Sequence, residues 1–166
     1  MDTSTVSLIV AVVAFLMAVA AFLKKPPAPE APAPGMANAA QLKLQAYERL
    51  VLLTERIALP SLVTRLNQPG ISAVEMKMIL AENIKQEFEY NSTQQLYVSP
   101  VSWDAVRNLK EQSILIIHKV AEILPPDASG TDLSKKIIEV VMAQPGGALH
   151  EMVLQALNFE AKKLMQ

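Results

Sequence analysis

Apolar and polar positions divide this chain into three stretches with different rhythms. From Val6 the sequence reads VSLIVAVVAFLMAVAAFL, free of charge, and then meets Lys24 and Lys25. A run that is apolar all round has no face to offer water, so residues 6–23 are expected to form a membrane-spanning helix behind a short tail, residues 1–5. Its 18 residues, at about 1.5 Å each, give about 27 Å, close to the ~30 Å hydrocarbon core of a bilayer. Residues 24–40 follow as KKPPAPEAPAPGMANAA and hold five of the chain's 11 prolines. Proline fixes φ and removes amide donors, so this Lys-Lys stop and Pro/Ala-rich linker is expected to be an extended spacer. From residue 41 to 166 the apolar positions recur three and four apart, which is the signature of amphipathic helices.

Within that third stretch, Ala46, Leu50, Leu53 and Ile57 step along one face and predict a helix over about 38–59. Val51, Leu52 and Leu59 widen the stripe, Arg56 belongs to the wet side, and Pro60 breaks the helix before a short piece at 61–66. After the Gln68-Pro69-Gly70 turn, Ser72 and Glu75 match a capping box, and Ile71 and Met76 occupy the staple positions around it. The helix they open presents Met76, Leu80, Ile84 and Phe88 on one ridge. Glu75, Glu82 and Glu89 lie on another face, with Lys85 spaced to pair with Glu89. Residues 93–99, TQQLYVS, are the only stretch with a strand-like or irregular pattern. Ser102 is expected to cap the next helix, stapled by Val101 and Val106, with Trp103, Ile114, Ile117, Val120 and Leu124 buried and Pro125-Pro126 as its stop. Further helices are expected from Thr131 or Asp132 through Met142, and over about 148–165 with Leu149, Met152, Val153, Leu157 and Leu164 inward. Most of the eight methionines fit core positions. The fold class is therefore all-α: an N-terminal transmembrane helix, a Pro/Ala-rich linker, and a compact bundle of about four to five helices.

Charge gives the span a direction. Asp2 precedes it, and its first lysines, Lys24 and Lys25, follow it. A cleaved signal peptide has the opposite arrangement, with its positive charge first. The positive-inside rule puts the tail outside and the domain, residues 41–166, on the cytoplasmic side; the same domain on the periplasmic side is the inverted alternative. Ser7, Ala11, Ala14, Ala18 and Ala21 fall on one seam of the span. Small residues there let two membrane helices approach closely, so a homo-oligomer or a partner span is expected at this seam.

Composition removes several classes of chemistry. The net charge is −1, and residues 40–166 carry 13 Lys or Arg against 14 Asp or Glu, leaving no excess to neutralise nucleic-acid phosphates. The absence of cysteine excludes disulfides and thiolate chemistry. His150-Glu151 opens like a zinc-protease helix, but Leu154 stands where the second histidine belongs. No Walker A, G-x-S-x-G or G-x-G-x-x-G pattern occurs, and no cofactor is implied.

Two stretches, QLKLQAYERLVLLTERIALPSLVTRL (41–66) and QEFEYNSTQQLYVSPVSW (86–103), resemble a family of small single-span, all-helical membrane-anchored proteins typical of Bacteroidetes-type bacteria, one without an assigned activity. The resemblance rests on Glu87, Phe88, Glu89, Tyr90, Asn91, Gln94, Gln95 and Tyr97, and Tyr90 stands where that family often has histidine. It directs attention to a polar junction of Glu87, Tyr90, Asn91, Gln94, Gln95 and Tyr97, where one long helix ends and the next begins.

The expected function is a membrane-anchored protein–protein interaction or scaffold module without catalytic activity, its partners being the bilayer and another protein or a second copy. The alternative is a membrane-tethered enzyme or small-ligand-binding domain built on carboxylates and the Asn91 to Tyr97 junction.

Overall fold

The computed structural model describes residues 34–143 and 149–165, with side chains from residue 38 onward. The expected span at 6–23, its seam from Ser7 to Ala21, and Lys24 and Lys25 lie outside the described residues. The chain divides into the units Met1–Ala37 and Asn38–Gln166, and the second is a helical bundle. Its α-helices are α1 (Pro34–Ile57), α2 (Leu59–Leu66), α3 (Ala73–Tyr90), α4 (Pro100–Glu122), α5 (Gly130–Met142) and α6 (Leu149–Lys163), with a 3-10 turn at Ser92–Leu96. Among the described residues there is no strand, and no helix is long and apolar enough to cross a membrane. The bundle thus has six helices instead of four to five. Residues 34–40, expected as linker, are already helical.

The core forms where the stripes meet. Leu50, Leu53 and Ile57 of α1, Met76, Leu80 and Ile84 of α3, Ile117 of α4, Leu133 and Ile137 of α5 and Leu157 of α6 are fully buried. Helix α3 packs on α4 and α5, α4 also packs on α6, and α2 packs on α5. Tyr47 links α1 to the start of α4: its hydroxyl accepts from the Ser99 amide at 3.1 Å. Some expected core positions face solvent instead. Leu52, Met142, Met152 and Leu164 are exposed, as are Met78 and Met165, and among the described methionines only Met76 is buried. Helices α1, α3, α5 and α6 bury narrower stripes than the apolar pattern suggested, so these side chains sit at the stripe edges or just past a helix end.

Pro60 shapes the α1–α2 corner, but the break falls before it. Ala58 is extended at φ −58° and ψ 123°, and Pro60 sits in the first turn of α2. A proline there costs nothing, since first-turn amides have no helical partner. The Arg56 carbonyl lies in the last turn of α1, which ends at Ile57, and so has no helical donor. The guanidinium of Arg65 takes that place, donating to Arg56 O at 3.0 Å.

Two helix starts are fastened to each other. The Ser72–Glu75 capping box is present as expected. A second box, Ser129–Asp132, opens α5 one position or more before the expected start, from the same S-x-x-acid spacing. The caps lie side by side. Ala73 N donates to Ala128 O at 2.9 Å and Gly130 N to Ile71 O at 2.8 Å, making an isolated antiparallel bridge. Gly130 suits this approach: a Cβ there would stand 3.0 Å from Ile71 Cγ1 and 3.1 Å from Met76 Cβ, a tight fit. At α4 the cap is Ser99, not Ser102; Ser99 Oγ accepts from the Ser102 amide, and Pro100 occupies the first turn. The expected staple dissolves accordingly, since Val101 is exposed, while half-buried Val98 and buried Trp103 flank the true cap. Ser-Pro is the stronger start because proline presets the helical φ.

Candidate functional site

Helix α3 ends beside α1, and an open groove of about 520 Å³ runs between them. Helix α1 supplies Arg49, Leu52, Leu53 and Arg56; α3 supplies Asn83, Gln86, Glu87 and Tyr90, and Asn91 follows at its C-terminus. The spacings of four and three within each set place these side chains on facing stripes. A second hollow of about 380 Å³ shares Asn83 and Gln86 and extends along α3 to Met78 and Glu82.

Glu87 is the hub. Its Oε1 accepts from Arg56 Nε at 2.7 Å and also from Arg56 Nη2. Arg65 Nη1 lies 3.9 Å from the same oxygen. The Glu87 side chain is 14% exposed and Arg56 is 53% exposed, so the pair joins a sheltered carboxylate to an open guanidinium. Glu87 raises the Arg56 pKa above its ordinary value, chiefly through the hydrogen bond and then through its charge. Arg65, fixed by the free Arg56 carbonyl, also donates to Asn83 Oδ1 at 3.0 Å. Arg49 lies over the Tyr90 ring, 5.7 Å from its centroid, and among the described residues it has no hydrogen bond or ion pair. One carboxylate thus answers two of three guanidinium groups, and a guanidinium carries five donors. Positive charge and unused donors face the groove.

The expected polar junction is split. Glu87, Tyr90 and Asn91 line the groove, while Gln94, Gln95 and Tyr97 do not. Asn91 is buried and closes α3: Nδ2 donates to Glu87 O at 2.9 Å, and its amide donates to Phe88 O. Gln94 is buried, and the Gln94 and Tyr97 amides donate to Asn91 O and Gln94 O, which makes the stretch a 3-10 turn and not strand-like. Gln95 is exposed, and Tyr97 is exposed beyond the groove. The expected Lys85–Glu89 pair is absent among the described ion pairs; the ion pair on α3 reaches across to α1 instead.

The sequence pattern does not single out Arg49, Arg65, Asn83 or Gln86; Arg56 is on the wet side as expected, but its pairing with Glu87 has no local signal. One local clue existed: Pro60 marks the end of α1, and the Arg56 carbonyl in that last turn is the one Arg65 occupies. Among the described residues no group of three or more His, Cys, Asp or Glu could hold a metal ion. The helix–loop–helix connections at 67–72 and 123–129 meet through the Ser72–Ser129 bridge. They are shorter than the roughly 12-residue calcium loop of EF-hands, and Asp127 is their only carboxylate.

Residues 2–164 match the model of a family of unknown function, DUF7935. The chain belongs to this family. No curated protein and no solved structure matches it. The family match spans every residue of the groove but brings no assigned chemistry, so the groove's role is argued from its own geometry.

Proposed function

We propose that this chain is a single-span, membrane-anchored interaction module whose helical domain lies on the cytoplasmic side of a bacterial inner membrane and binds a protein through the α1/α3 groove. The observation that carries the reading is the convergence of Arg49, Arg56 and exposed Tyr90 and Leu52 around one open hollow. Arginine and tyrosine supply much of the energy of protein interfaces, because both combine a broad apolar surface with directed donors. A small-molecule site is typically enclosed and encloses most of its ligand; this groove is open and continues along α3, a shape suited to a protein segment.

The anchor rests on the apolar run at 6–23 and on the Lys24-Lys25 stop. The seam from Ser7 to Ala21 supports close approach by a second membrane helix. The spacer lets the domain reach partners near the membrane without pressing it onto the lipid. The test is chemical crosslinking and mass spectrometry on native membranes holding the full chain, with a topology reporter fused after Gln166. Crosslinks from the groove to another protein, with a cytoplasmic reporter signal, are expected. A full chain that washes off membranes at alkaline pH, or one that yields no reproducible protein crosslink, contradicts the reading.

A further inference from the structure

We infer that the partner segment of this groove is acidic and amphipathic: carboxylates dock against Arg49 and Arg56, and apolar side chains rest on Leu52 and Tyr90. The inference rests on the interaction reading above and adds the chemistry of the partner.

Charge complementarity points to it. Across the domain, acidic and basic residues nearly balance, 14 against 13 over residues 40–166. The groove departs from that balance locally. Arg49 and Arg56 line it against one lining carboxylate, Glu87, and Arg65, outside the lining, approaches the same Glu87 oxygen at 3.9 Å. The arrangement is set by the fold: the Arg56 carbonyl in the last turn of α1 holds Arg65, and Glu87 holds Arg56 by its Nε side. Glu87 therefore positions Arg56 without saturating it, while Arg49 lies over the Tyr90 ring. It also shows the geometry an incoming carboxylate can adopt, since Arg56 already directs two donors at one carboxylate oxygen.

The groove has a direction as well. Its other carboxylate, Glu82, lies toward the Met78 end, where it accepts from Gln86 Nε2 at 3.3 Å. Arg49 and Tyr90 occupy the opposite end. An acidic segment is drawn to the arginine end and repelled at the Glu82 end, while Met78 offers an adaptable apolar contact there. Lipid phosphates are a different partner and form one outcome of the test.

The experiment uses the full chain in uncharged detergent micelles and a short fluorescent peptide of repeating Leu-Glu-Glu, read by anisotropy. The uncharged peptide of repeating Leu-Gln-Gln and anionic phosphatidylglycerol vesicles serve as comparisons. The Leu-Glu-Glu peptide is expected to bind, to weaken as salt rises, and to lose about tenfold in affinity in Arg49→Gln/Arg56→Gln. Arg49→Gln alone is expected to lose about threefold; because Arg49 makes only a ring contact, this variant keeps its fold. Equal binding of the two peptides, no binding of either, or an arginine dependence seen only with vesicles overturns the inference. Crosslinking then separates the two levels. Protein crosslinks that persist undiminished in the double variant leave the interaction reading standing and remove the acidic partner. Loss of all protein crosslinks in the native chain removes the interaction reading itself.

Discussion

The two ends of α3 are built on opposite plans. At its start the helix is closed: the Ser72 hydroxyl, the Glu75 carboxylate and the strap to Ala128 meet the exposed amides, and the neighbouring start of α5 repeats the arrangement with Ser129 and Asp132. At its finish, Asn91 satisfies the backbone, but Arg49, Arg56 and Arg65 bring more donors than Glu87 can accept. A closed end serves stability. An end with unused donors, an exposed tyrosine and an open hollow is suited to a partner.

The largest expected effect breaks the closed end. Gly130→Val sets a branched side chain against Ile71 and Met76, where a Cβ alone already stands 3.0 Å and 3.1 Å away. It is expected to lower unfolding stability by about 2–3 kcal/mol in a urea titration of the chain. Ser72→Ala removes one cap while leaving the packing, and about 1 kcal/mol is expected. At the open end, Glu87→Gln removes the charge of a partly exposed ion pair, and solvent screening limits the change to less than about 1 kcal/mol. A loss from Glu87→Gln exceeding that from Ser72→Ala would reverse the contrast.

Acid distinguishes the ends more gently. Ser72 holds the Glu75 carboxyl below its ordinary value of 4.5, through its backbone amide first and its hydroxyl second. The Ser129 hydroxyl, then its amide, then the charge of Lys135 hold Asp132 below 3.8. A carboxyl whose pKa is lowered by folding adds stability that is complete above the unfolded value and is lost as pH falls toward the folded value. The urea midpoint is therefore expected to fall as pH drops below about 4.5, and less steeply in Ser72→Ala/Ser129→Ala.

The same contrast explains what the sequence discloses. The Ser72–Glu75 box is written within four consecutive residues, and the ridge from Met76 to Ile84 follows the helical period, so both are readable from the chain. The second box at Ser129 has the same spacing, but Thr131 and Asp132 offer competing starts within three residues of it. Ser99-Pro100 competes in the same way with Ser102, and the proline decides for Ser99 by marking the first turn. The groove is different in kind. Arg56 and Glu87 are brought together by packing of α1 against the bundle, and Arg65 arrives through the Arg56 carbonyl left open where α1 ends. No local pattern encodes that meeting. Glu87, Tyr90 and Asn91 were singled out as part of a run, and the fold keeps them together while sending Gln95 and Tyr97 elsewhere, because the chain turns at Ser92–Leu96.

Site-specific photocrosslinking separates the two ends of α3 most directly. A benzophenone side chain is placed at Tyr90, in the groove, or at exposed Val74, beside the closed cap, in the full chain within native membranes. Tyr90 is expected to give a discrete protein adduct that weakens in Arg49→Gln/Arg56→Gln, and Val74 none. Equal labelling from both positions, or adducts from Val74 alone, would contradict the assignment of the open end of α3 as the docking surface.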